Sequence, residues 1–168
     1  MITMTGPDLV ISDFVAGPDG VQITVKNQGG AAVVDDFWVD LYVNPNIAPT
    51  HVNQLWSDLG SQGGAWGVTQ DLAPGQSVTL VIGDSWFRGD QSNLPAPLPL
   101  GATLYAQADS WNGSTTYGAV LEADEAPGRV YNNIRQTTVA GTIQINGAGV
   151  VTGSSAGNTL PARPALAR

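Results

Sequence analysis

The stretch Val21-Gln22-Ile23-Thr24-Val25-Lys26 alternates apolar and polar side chains at a period of two. Only an extended strand places Val21, Ile23 and Val25 on one face and their polar neighbours on the other. The cluster Asn27-Gln28-Gly29-Gly30 follows, and Asn and Gly tolerate the positive φ of a tight turn. Alternation recurs where Phe37, Val39, Leu41 and Val43 oppose Trp38, Asp40 and Tyr42, which are expected to point outward. It recurs again in Val78, Leu80 and Ile82, after the turn signal Pro74-Gly75. Val21, Ile23, Val25, Phe37, Val39, Leu41, Val78, Leu80 and Ile82 are therefore expected to share one core, and no segment shows a helical period.

The rest of the chain is punctuated in the same manner. Residues 8–14 form a short apolar segment closed by Gly17-Pro18-Asp19-Gly20, and residues 102–110 are strand-like. Asn112-Gly113 is a hairpin signal with residues 116–121 returning antiparallel, and Asn146-Gly147 marks a second hairpin. Residues 44–68 read as a long irregular excursion. Leu94-Pro95-Ala96-Pro97-Leu98-Pro99-Leu100 is expected to be an exposed connection, because its three prolines lack ladder donors. The expected fold is all-β: an antiparallel Ig-like or fibronectin-like β-sandwich of seven or more strands, with a long loop excursion and a C-terminal hairpin. Residues 7–134 would form the sandwich, 135–153 an additional hairpin on a sheet edge, and 154–168 a tail or linker. No charge falls between Gln136 and Gly153, and Val139, Ile143, Ile145, Val150 and Val151 make the hairpin apolar. Such a segment is expected to pair with a sheet edge, its own or that of a second copy.

Charge narrows the partners. Six basic and fourteen acidic residues leave a net charge of −8, which opposes binding to nucleic acid or an acidic membrane. The chain has no Cys, so disulfides, thiolate catalysis and Cys-based zinc sites are excluded. No apolar run approaches the roughly 20 residues of a membrane span, so membrane insertion is not expected. The start, MITMTGPDL, lacks the basic and apolar regions of a signal peptide. The rest reads as extracellular or cell-surface, hence the expectation of a mature fragment or cloned domain.

Candidate chemistry concentrates in two groups. Glu122, Asp124 and Glu125 fall within four residues, ahead of Asn132-Asn133. They suit an acid/base pair, a calcium loop or the polar end of a strand. Calcium takes six to eight oxygens, and Asp109 and Asn112 would join Glu122, Asp124 and Glu125 if neighbouring strands met; no EF-hand spacing is present. Calcium is thus the one candidate ion, and no cofactor is required. The second group is aromatic: Trp38, Tyr42, Trp56, Trp66, Trp86 and Trp111 could pack under loops, anchor a protein partner or stack on a glycan. His51 is the single histidine and leaves a His-based triad without support, so no catalytic residue is assigned and the chain is not expected to be an enzyme. Arg88-Gly89-Asp90 spells an integrin-binding tripeptide but reads as a turn.

Four motifs in order resemble one family. Pro7-Asp8-Leu9-Val10-Ile11-Ser12-Asp13, Ile23-Thr24-Val25-Lys26-Asn27-Gln28-Gly29, Leu72-Ala73-Pro74-Gly75-Gln76-Ser77-Val78, and Glu122-Ala123-Asp124-Glu125 with Asn132-Asn133 are similar to the bacterial CARDB (cell adhesion related) domain, over residues 7–134. That resemblance implies an immunoglobulin-like module of secreted and surface proteins, non-catalytic, acting in adhesion, spacing or assembly. Its partners would be a protein, a cell-surface glycan or a second copy; the alternative is a carbohydrate-binding module using the aromatics. The chain departs from the pattern in the length of 44–68 and 84–100, in the spacer Ala126-Pro127-Gly128-Arg129-Val130-Tyr131 before the Asn pair, and in the added C-terminal segment.

Overall fold

The alternating segments become strands packed in two antiparallel sheets. A computed structural model describes residues 6–125, 129–142 and 160–166, and the side chain of Asp124 lies outside that description. The strands are β1 (Leu9–Gly17), β2 (Gly20–Asn27), β3 (Phe37–Val43), β4 (Gln62–Val68), β5 (Ser77–Val81), β6 (Thr103–Ala108) and β7 (Ile134–Thr138). One sheet has the order β1-β2-β5 and the other β4-β3-β6-β7. The only α-helix among the described residues, α1 (Trp56–Leu59), is a single turn.

Register aligns the apolar faces. Phe14 opposes Ile23 and Ile23 opposes Leu80; in the second sheet Val39 lies between Trp66 and Ala108. The inward faces of both sheets form one buried cluster. In β1 the apolar side chains change parity, Leu9 and Ile11 then Phe14 and Ala16, yet all four are buried. A register shift between Ile11 and Asp13 explains it, since one extra residue in a strand returns the next side chains to the same face.

Eight of the nine expected core residues are buried. Ile82 is the exception at 37% exposed, because β5 ends at Val81 and Asp84 caps the turn by accepting the amides of Val81, Trp86 and Phe87. The 44–68 excursion contains α1 and β4, so it is not irregular throughout. Residues 116–121 form no strand, and the segment that returns antiparallel beside β6, on the side away from β3, is β7 instead. Asp109, at φ 52°, turns the chain at the end of β6, and its carboxylate takes up the amides of Ala119 and Val120. Those amides are therefore withheld from any ladder. The Pro-rich connection is pinned at Leu98, which is buried and donates its amide to the Pro18 carbonyl.

The C-terminal region divides into three parts. Val139 is buried and exchanges backbone bonds with Ala102 and Gly101, and Ala140 donates to Ala16, so the chain leaving β7 is tied to its own sandwich. The expected hairpin around Asn146-Gly147, with Ile143, Ile145, Val150 and Val151, lies outside the described residues. Residues 160–166, expected as part of a tail or linker, lie against the second face of the four-stranded sheet. A buried ion pair and two indole hydrogen bonds hold them there, as described next.

Candidate functional site

Trp38, Asp40 and Tyr42 occupy the face of β3 turned away from the core, yet all three are buried. Their cross-strand neighbours on β4 are Gly67, Ala65 and Gly63. Small residues there leave room for a covering layer. A Cβ on Gly63 would run into the Trp56 ring and the Leu41 carbonyl, and one on Gly67 into Leu160. The glycines at 63 and 67 of β4 are thus the footprint of what packs over it: Trp38 and Tyr42 face away from the core as expected, but this layer buries them.

Asp40 organises the layer. Its Oδ1 accepts the Ser110 hydroxyl at 2.7 Å and Arg163 Nη1 at 2.8 Å; its Oδ2 accepts the Trp56 amide at 2.9 Å and Arg163 Nη2 at 3.1 Å. Four donors match the four lone-pair positions of a carboxylate, and the paired guanidinium bonds form the planar fork that favours Arg over Lys. The two side chains are 0% and 2% exposed. The same guanidinium lies 4.6 Å over the Trp38 ring, within cation–π range.

Around this pair the segment 160–166 is read along its length. Trp38 Nε1 donates to the Pro161 carbonyl at 2.7 Å, and Trp111 Nε1 to the Ala162 carbonyl at 2.9 Å. Pro164, Ala165 and Leu166 continue onto a cleft of about 740 Å³ whose other walls include Trp56, Asp58 and Asn93. Beside the pair, Tyr42 donates to the Gln54 carbonyl at 2.5 Å and lies 2.7 Å from Gln107 Oε1. Gln107 in turn donates to the His51 carbonyl and the Tyr131 hydroxyl. Burial above all, and then the Asp40 charge, push the Tyr42 phenol well above its ordinary value; burial does the same for Tyr131. Both remain hydroxyls.

The other aromatic candidates serve packing in this structure. Trp66 is fully buried, donates to the Val81 carbonyl and meets Phe87 edge-on at 5.3 Å; Trp86 is buried; Trp56 donates to the Gln91 carbonyl. Trp111 is only half-buried. Arg88 and Asp90 close on each other at 3.2 Å in a 3-10 turn, Gly89–Gln91. His51 Nδ1 lies 2.7 Å from the Val52 carbonyl.

The carboxylates divide between two joints. Glu122 is buried, its Oε2 accepting the Leu9 amide at 2.6 Å and its Oε1 accepting Asn133 Nδ2 at 2.5 Å. Glu125 accepts the Glu122 amide at 2.9 Å, and Asn132 donates to Asp8 at 3.0 Å. These bonds join the start of β1 to the approach to β7. Asp109 sits at the other joint, below the 110–120 loop, and burial pushes its carboxyl up to about 8 against the pull of its two amide donors. Asn112 accepts the Ser114 amide and donates its own to Asn53 Oδ1. Among the described residues no three His, Asp or Glu side chains are grouped so as to hold a metal ion.

The pair of Asp40 and Arg163 had a sequence signal that reading by motif passed over. Asp40 is the one charged side chain in an otherwise apolar and aromatic strand, and the chain has only six basic residues to match it. No protein-family model matches the chain, and no curated protein matches it. Among solved structures it is similar to the CARDB domain of a Pyrococcus furiosus protein, crystallised in complex with di-metal ions. The two are 21% identical, the match covers 84% of this chain and 94% of that one, and the TM-score is 0.46.

Proposed function

We propose that this chain is a non-catalytic module of a secreted or surface protein of a bacterium, serving adhesion, spacing or assembly. One observation carries the reading: the acids best placed to do chemistry are spent on the fold. Asp40, Asp109 and Glu122 are buried, and in each both oxygens accept protein donors. A general acid or base has to meet a substrate proton. The motifs that resemble the CARDB domain support the same reading and the extracellular setting. Of the six aromatic candidates only Trp111 is left to support the glycan-binding alternative, because Trp38, Tyr42, Trp56, Trp66 and Trp86 are buried.

Beads coated with the full chain test the proposal, since a dense coat supplies multivalency that a dilute solution lacks. Coated beads are expected to cluster with one another or to capture a surface protein, and a glycan array probed with the same chain to stay dark. Dispersed beads together with glycan signals lost in Trp111→Ala would replace the reading with carbohydrate recognition. Calcium enters the proposal as a weak ligand of the Glu122 corner. A melting temperature raised by calcium and lowered by chelator supports it, and an unchanged one removes it.

A further inference from the structure

We infer that the covered face of β3 is a peptide-recognition site for the arginine-bearing segment 160–166, and that the same segment of a second copy fills it between molecules. The inference deepens the assembly reading above and names its partner.

The site is built to read a peptide. Asp40 presents a buried carboxylate whose charge is matched only by the Arg163 fork. Trp38 supplies the ring beneath that fork, and two indole N–H groups take successive main-chain carbonyls, those of Pro161 and Ala162. Gly67 leaves the seat that Leu160 fills. Main-chain carbonyls give affinity without regard to side chain, while the fork and the seat select an Arg and an apolar residue three positions before it. The ligand suits this use as well. Pro161 and Pro164 flank Arg163; they bring no N–H that docking would have to satisfy, and they restrict the free segment in advance.

The segment is also separable from the body it covers. No backbone-to-backbone hydrogen bond joins residues 160–166 to the sheets among the described residues. Residues 143–159, seventeen positions, stand between it and the described part of the sandwich. Charge is divided in the same way: residues 160–168 contain two Arg and no acid, so of the net −8 the remainder carries −10. A cationic segment is drawn to an acidic body whether that body is its own or another's. The contacts that hold residues 160–166 come from Trp38, Asp40, Gly67 and Trp111 of the sandwich, so the site is complete whichever copy supplies the segment. In one molecule the segment meets its site at an effective concentration on the order of millimolar, so exchange appears in dense arrays or when the internal contact is blocked.

Two full-length variants separate groove from ligand. Arg163→Glu keeps the groove and disables the segment; Gly67→Val keeps the segment and fills the Leu160 seat. Each alone is expected to be monomeric by light scattering, with tryptophan emission shifted to the red as Trp38 and Trp111 are uncovered. Mixed at tens of micromolar, they are expected to form a one-to-one heterodimer. The peptide Leu-Pro-Ala-Arg-Pro-Ala-Leu titrated into Arg163→Glu should release heat, and its Arg-to-Lys version should bind at least tenfold more weakly. If Gly67→Val fails to fold, the titration decides alone. Folded variants with neither heterodimer nor heat would overturn the inference, as would an Arg163→Glu chain that does not fold, because the segment would then be part of the sandwich. Bead clustering that persists in Arg163→Glu would leave the assembly reading standing and remove this partner from it.

Discussion

Glu122→Ala should be among the most damaging single changes outside the apolar core. The substitution leaves the Leu9 amide, buried at the start of β1, with no acceptor, and takes from Asn133 the stronger of its two bonds, the other being to the Ala108 carbonyl at 3.2 Å. Hydrogen bonds to an ionised group contribute about 1.5–3 kcal/mol, and a buried donor left unpaired costs about 1–3 kcal/mol. Counting Leu9 near the top of that range and Asn133 near the bottom gives about 3–5 kcal/mol. For a chain of this length each kcal/mol moves the melting temperature by about 2–4 °C, so a fall of about 10–15 °C is expected. Glu122→Gln should cost about 1–2 kcal/mol, because one amide oxygen still serves Leu9 while its NH₂ opposes the Asn133 donor. Urea unfolding followed by far-ultraviolet circular dichroism, with Asn133→Ala and the double variant closing a cycle, measures the coupling. A loss below about 1 kcal/mol for Glu122→Ala, or strict additivity with Asn133→Ala, would refute the account of this corner.

Two further outcomes follow from buried groups. The folded Asp109 carboxyl, at about 8, lies above its unfolded value of 3.8, so its contribution to stability is complete below pH 4 and is lost as pH rises through 8. The unfolding free energy measured in urea should therefore fall between pH 5 and pH 8, by up to about 1.4 kcal/mol per pH unit, and Asp109→Asn should flatten most of that slope. Asp84, whose carboxyl burial also raises, contributes a slope of the same sign that begins above pH 3.8; a wild-type stability that rises between pH 5 and pH 8 would refute the assignment of Asp109. Gly63→Ala should cost about 2–3 kcal/mol in a thermal melt, since its Cβ meets the Trp56 ring and a backbone carbonyl that cannot step aside. A melt unchanged from wild type would show that the covering layer is loosely seated.

Strands with one apolar and one polar face were readable from their period, which is why β2, the inward side of β3, and β5 up to Leu80 stand where the alternation put them. Period fails where the physics has a second term. In β1 one extra residue near Ser12 breaks the alternation without breaking the strand. In β4 the sequence Gln62-Gly63-Gly64-Ala65-Trp66-Gly67-Val68 resembles a loop by composition, because Gly63 and Gly67 answer to the layer above, and Gly64 to Leu94 and Ser92 on the other face, rather than to the strand itself. The large groups on both sides of β3 carried the missing information: a strand apolar on both faces is covered on both. The polar corner at Glu122 was legible as one of three readings, but its partners, Leu9 and Asn133, lie 113 and 11 residues away and leave no local spacing to detect.

The position of Asp40 shows why a charge belongs at the centre of this sheet. Its four bonds reach three separate pieces of chain: Trp56 in the 44–61 connection, Ser110 at the end of β6, and Arg163 in the C-terminal segment. An apolar residue there would pack as well but would not choose among covering segments, and hydrophobic replacement of a buried ion pair is often neutral or stabilising. What the acid adds is selection, since a segment without a guanidinium leaves the carboxylate short of its cation and of two donors. The same argument explains the small residues beside it on β4, Gly63, Ala65 and Gly67, which set the depth at which the cover sits and bring the fork within reach. Charge and glycine pattern are thus two halves of one recognition surface, and the residue that registers it, Arg163, lies 123 positions from its partner.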